Sequence, residues 1–154
     1  MEIALVIPLV VAFLGAGFGA YFAFVKTRKE RLWSDRYEAL RSVVLGLEKI
    51  QTHFEVREMH ERGVQVVTAD EYARMETEWP TARHDLRANI ATLRLLFKDK
   101  QIATLLELHR ELNHAFLVMF GGIPDHLPDL FSDVAKNAER GIEEAIKVAQ
   151  KWCL

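Results

Sequence analysis

Six histidines and one cysteine are the side chains of this 154-residue chain best suited to metal binding or acid–base work near neutral pH, and their spacing decides which chemistry is open to it. Glu111-Leu112-Asn113-His114 has the Glu-x-x-His spacing with which di-iron bundles present a carboxylate and an imidazole on one helix face. Such a centre takes a second copy of the motif and two further helix-borne glutamates. No second Glu-x-x-His occurs, so no metal and no other cofactor is expected. His53 and His60 are seven residues apart, which on a helix is about 10 Å and too far for one ion. The single Cys153 excludes an intrachain disulfide and a cysteine-cluster metal site. It is second from the end, not fourth as in a prenylation box, and reads as a semi-buried thiol at a helix end. No Ser/His/Asp set, phosphate loop or glycine fingerprint is present, so catalysis is not expected.

Arg110-Glu111-Leu112-Asn113-His114 invites a nuclease reading. Small helical bundles of this size resemble the HEPN ribonucleases, whose signature is an Arg followed four to six residues later by a His, with a polar residue after the Arg. Here only three residues intervene, so the resemblance covers the helical architecture and not the motif. It would imply that Arg110 orients a scissile phosphate and that His114 acts as acid or base. The plainer reading is a polar helix face. Arg83-His84-Asp85 with Arg87 likewise reads as a solvated face.

The elements that must carry these residues begin with an apolar run. Ile3 to Val25 is 23 residues without a charge, followed at once by Lys26, Arg28, Lys29 and Arg31, then Arg36 and Arg41. As a helix it would be roughly 34 Å long, enough to cross a bilayer core of about 30 Å. Glu2 replaces the basic flank of a signal peptide and the run is too long for one, so a retained anchor is expected. The basic flank should remain in the cytoplasm beside anionic headgroups, giving an N-out, C-in inner-membrane topology. Within the run, Ala12, Gly15, Ala16, Gly19, Ala20 and Ala23 form overlapping small-xxx-small pairs. Such a ridge lets two spans pack closely, and a homo-oligomer is expected from it.

Residues 26–154 then read as one all-α cytosolic domain, an antiparallel four-helix bundle continuing from the anchor of residues 1–25. A first helix with Trp33, Tyr37, Leu40, Val44, Leu47, Ile50 and Phe54 should stop at Gly63. Nothing between Phe24 and Leu32 breaks it from the anchor, and Val64–Val67 forms a connection. Gly15 and Gly19 lie eighteen residues, about five turns, before Trp33 and Tyr37, so ridge and seam would share one side of a straight rod. The seam is therefore expected to contribute to an oligomer interface as well.

A capping box at Thr68–Glu71 opens the second helix, with Tyr72, Met75, Trp79, Leu86, Ile90, Leu93 and Phe97 on one face. Pro80 should kink or split it. Asp99 is a plausible cap for a third helix bearing Ile102, Leu105, Leu106, Leu112, Phe116 and Met119. Residues 121–128, with two Gly and two Pro, form a turn-rich loop and a candidate recognition surface. The last helix carries Phe131, Val134, Ala138, Ile142, Ala145, Ile146, Ala149 and Trp152.

Lys and Arg total 20 against 22 Asp and Glu, and setting aside Glu2 leaves 20 against 21 beyond the anchor. That balance argues against a nucleic-acid partner. The expected function is a single-pass membrane protein that oligomerises and acts through a bundle binding an unknown cytosolic protein or ligand. Its most concrete form is a membrane-perturbing or pore-forming effector, the build of small bacterial defence effectors. The alternatives are an inert anchor or scaffold recruiting a partner, and a divergent membrane-tethered ribonuclease.

Overall fold

A computed structural model describes the backbone of residues 3–121 and 127–153 and the side chains of residues 18–121 and 127–153. Every regular element among them is helical: α1 (Ile3–Glu61), α2 (Ala69–Leu96), a 3₁₀ turn at Asp99–Gln101, α3 (Ala103–Gly121) and α4 (Leu127–Trp152). The chain forms two compact units, Met1–Asp35 and Arg36–Leu154. Helix α1 is unbroken between Phe24 and Leu32, as the absence of any breaker there requires.

In the first unit, Phe18, Tyr21, Phe22 and Phe24 are exposed, and Lys26 pairs with Glu30 one turn on at 3.8 Å. Among the described residues no helix is long and apolar enough to cross a membrane. Residues 3–17, most of the uncharged run, lie outside those whose side chains are described.

The second unit is the bundle. Paired contacts fix its directions. On α1 and α2, Arg36 meets Leu96, Gly46 meets Leu86, and Phe54 meets Trp79, so the two run antiparallel. On α1 and α4, Leu47 meets Gly141, Phe54 meets Phe131, and Arg62 meets Asp129, again antiparallel. Each helix places one aromatic ring at the centre. Phe54 lies 5.5 Å from Trp79 and 5.8 Å from both Phe116 and Phe131, centroid to centroid. Leu40, Val43, Leu47, Ile50, Leu86, Leu93, Leu105, Leu112, Val134, Ala138 and Ala145 extend this core along the bundle.

Local signals set the ends. Gly63 adopts φ +79°, and its N–H donates to the His60 carbonyl while Val64 N–H donates to that of Met59. This is a Schellman stop, for which a residue without Cβ is favoured. At Thr68, Oγ1 accepts from Glu71 N–H at 3.3 Å and the Thr68 N–H donates to the Glu71 carboxylate at 3.0 Å, closing the capping box. The Thr68 N–H, together with the Thr68 hydroxyl donating to the same carboxylate oxygen at 2.9 Å, holds the Glu71 carboxyl below its ordinary pKa.

Several expectations need correction. Pro80 does not split α2, which runs from Ala69 to Leu96 through it. The proline costs one intrahelical bond, but Trp79 and Ala82 beside it are both buried, and their burial outweighs that loss. Trp33 and Tyr37 stay about half exposed, 51% and 49%, and the seam begins only at Ala39. The four-residue step back from Leu40 lands on Arg36, whose Nε donates to the Leu96 carbonyl at 3.0 Å, and leaves Tyr37 at the edge of the packed face. Asp99 does not cap a helix with its side chain but stands 3.6 Å from Arg94, and the Gln101 amide accepts from Lys98 N–H instead. Ile146 is 46% exposed, while Val148 faces the core. The candidate recognition loop lies largely outside the described residues, at 122–126; Gly121 ends α3 and Leu127 and Pro128 begin α4.

The close approach at Gly141 tests the packing. A Cβ placed on Gly141 would stand 3.0 Å from Leu47 Cδ1. Gly141→Leu should therefore overpack the α1–α4 crossing and cost about 1–3 kcal/mol, read as a lower urea midpoint with unchanged helicity. An unchanged midpoint would show that the crossing is looser than described.

Candidate functional site

Two polar clusters on the bundle stand out. The larger is a groove between α2 and α3. One depression of about 440 Å³ is lined by Arg87, Arg94, Arg110, His109 and Asn113 over Ile90, Ala91 and Leu106. A second of about 240 Å³, lined by Pro80, Arg83, His84, Arg87 and Asn113, adjoins it through the shared Arg87 and Asn113. No carboxylate lines either one. Helical spacing explains the row: Arg83, Arg87 and Arg94 are four and seven residues apart on α2, and thus stand on one stripe facing α3.

The arginines are held differently. Arg83 lies over the Phe116 ring at 4.7 Å, which fixes its stem against the core. Arg94 has Asp99 at 3.6 Å. Arg83, Arg87 and Arg110 have no carboxylate within ion-pair distance among the described residues. At the floor, Asn113 Nδ2 donates to His109 Nε2 at 3.0 Å and to the His109 carbonyl at 2.9 Å. An amide nitrogen can only donate, and Nδ2 also stands 3.4 Å from Nδ1 of the same ring, so the contact requires an imidazole with an unprotonated nitrogen. Burial, aided by the charge of Arg87, lowers the His109 pKa, keeping the ring neutral at physiological pH. The groove thus offers several guanidinium forks and a neutral imidazole, a set suited to an anion carrying more than one charge.

The residues singled out from sequence are placed as follows. Arg110 lines the groove, but His114, though exposed on the same helix, does not, so the two do not meet in one pocket. His109, the adjacent imidazole, takes that position. Glu111 is 3.9 Å from Arg140 on α4. Among the described residues no three potential metal ligands converge. Ala12, Gly15 and Ala16 lie outside the described side chains; Gly19, Ala20 and Ala23 are exposed, and a Cβ on Gly19 would meet nothing within 4 Å. Lys26, Arg28, Lys29 and Arg31 are all exposed. Arg36 and Arg41 are engaged elsewhere, on the end of α2 and on Glu38 at 3.5 Å. Sequence reading missed Arg83, Arg87 and His109 as a group. The one signal was the acid-free arginine stripe, which looks like any solvated face until α3 is set beside it.

The second cluster is buried. His53 on α1 is 2% exposed and stacks on Trp79 at 5.4 Å. Its Nε2 has no hydrogen-bond partner, and Glu76, at 3.9 Å, is shared with Arg57 at 3.6 Å. Burial pushes the His53 pKa down to about 4, with Arg57 adding to the shift and Glu76 opposing it. The neutral ring is therefore part of the core, a stacking surface and not a charge.

This gives a pH prediction. Because the folded pKa of His53 lies below the unfolded 6.5, its contribution is complete above pH 6.5 and is lost as pH falls toward 4. The loss approaches about 3 kcal/mol at full protonation. Urea unfolding of wild type against His53→Leu should show the wild type losing more stability across that window; parallel curves would refute a neutral buried imidazole. No protein-family model, curated protein or solved structure matches the chain, so its function is argued from its own residues.

Proposed function

We propose that this chain is a single-pass membrane protein, N-terminus outside, that self-associates and acts through a ligand-binding helical bundle in the cytosol. The observation that carries the reading is the uncharged run from Ile3 to Val25 with basic residues on its C-terminal side only. The exposed aromatics Tyr21, Phe22 and Phe24 beside Lys26 and Arg28 fit the aromatic and basic belt of a membrane interface. Bare small residues at Gly19, Ala20 and Ala23 continue the Ala12–Gly15–Ala16 ridge and favour close span packing. The arginine groove supplies the binding surface.

In this reading the output is clustering: a ligand on the bundles gathers the spans, and the gathered spans perturb the membrane. The span offers no polar stripe to line an aqueous channel, so perturbation would work by lipid disruption or a hydrophobic gate. A passive scaffold would share the anchor but not the consequence of clustering. Nothing in the placement of Arg110 and His114 favours a ribonuclease.

Gly15→Ile with Gly19→Ile separates these. The double variant should still insert, since apolarity rises, but detergent-solubilised protein should shift to smaller species and any growth arrest on induction should fall. A reporter fused after Leu154 should be active in the cytoplasm. Periplasmic reporter activity would overturn the topology. Unchanged assembly in the double variant would remove the ridge as its basis.

A further inference from the structure

We infer that the α2–α3 groove binds a compact soluble anion bearing two or more phosphates on a partly apolar body, a ligand of the nucleoside di- or triphosphate class. The inference deepens the bundle-binding reading above and rests on it. Arg83, Arg87 and Arg110 concentrate three guanidinium groups without a carboxylate within ion-pair distance among the described residues, in a chain whose acids slightly outnumber its bases. Cations along one trough repel one another, and a single carboxylate could neutralise only one of them. Phosphate carries more charge and matches the planar fork of Arg in bidentate geometry.

The shape narrows the ligand further. The depressions, about 440 and 240 Å³, share Arg87 and Asn113 and form one trough of small-molecule size. Ile90, Ala91 and Leu106 give it an apolar side, against which a flat ring can lie while the guanidiniums hold the charged end. His109 is neutral and held in place by Asn113, so it adds a polar edge to the trough without a charge of its own.

A polymer fits less well. The arginine stripe is closed beyond Arg94 by a carboxylate, that of Asp99 at 3.6 Å. A nucleic-acid strand leaving the trough past Arg94 would run into that carboxylate. A short polyphosphate would satisfy the cations but leave the apolar side empty.

The test is equilibrium binding to the full chain in non-ionic detergent, comparing adenosine triphosphate, tripolyphosphate and a twelve-nucleotide single-stranded RNA. Adenosine triphosphate should bind saturably below about 1 mM, and more tightly than tripolyphosphate. Arg87→Gln and Arg110→Gln should each weaken it by about tenfold or more, while Arg41→Gln, on the Glu38 pair, should leave it unchanged. Absence of saturable binding, or equal binding by Arg87→Gln, overturns the site. Tripolyphosphate binding as tightly as the nucleotide overturns the role of the apolar side, and tighter RNA binding overturns the small-ligand assignment. Size and membrane insertion of the same sample report on the anchored oligomer separately. Intact insertion and assembly without nucleotide binding would sink the ligand class alone; nucleotide binding by a monomeric, non-inserting chain would sink the anchor alone.

Discussion

The aromatic junction around Phe54 is what the bundle depends on. Each of the four helices contributes one ring to it: Phe54, Trp79, Phe116 and Phe131. Phe54 is fully buried, and its neighbours approach tilted or edge-on, the arrangements in which ring quadrupoles attract. Because the rings come from four elements far apart in sequence, no pair of helices completes the junction alone. It sets the depth at which the helices meet, and so the register in which α2 presents Arg83 and Arg87 to α3. The cation–π contact of Arg83 on Phe116 ties the groove directly to this centre.

Much of the architecture could be read from local chemistry. The Thr68–Glu71 box, the stop at Gly63 and the three- and four-residue steps through Leu40, Leu47, Ile50 and Phe54 each work through neighbours within a turn or two, so a single strand of text contains them. Where reading failed, the deciding fact lay on another helix. Tyr37 has the right period, but the α1 side chain that meets the end of α2 is Arg36, on the Leu96 carbonyl. Pro80 keeps its helix because Trp79 and Ala82 are claimed by the core.

The polar clusters were less legible still, for the same reason. Spacing on α3 pointed to Arg110 and His114, four apart, yet the imidazole that faces α2 is His109, and only the crossing of the two helices distinguishes them. His53 gave no sign in its sequence neighbourhood of being the most buried polar side chain among the described residues; its environment is made by Trp79 and Glu76 from α2. Both imidazoles are driven toward neutrality by burial, but they differ in setting. His109 has its acceptor nitrogen satisfied and lies at a surface groove, whereas His53 leaves Nε2 unpaired inside.

The stacking of Trp79 has an optical consequence. Of the three tryptophans, Trp33 and Trp152 are exposed to 51% and 36%, whereas Trp79 is 6% exposed. Its indole is stacked with the His53 imidazole and with the Phe120 ring, nearly parallel to both. Emission from an indole so shielded from water lies to the blue of the other two, and a protonated imidazole is an efficient quencher of an excited indole. The chain therefore carries an intrinsic fluorophore at the boundary between its core and the Arg83 end of the groove, one whose colour reports hydration and whose brightness reports the charge on His53.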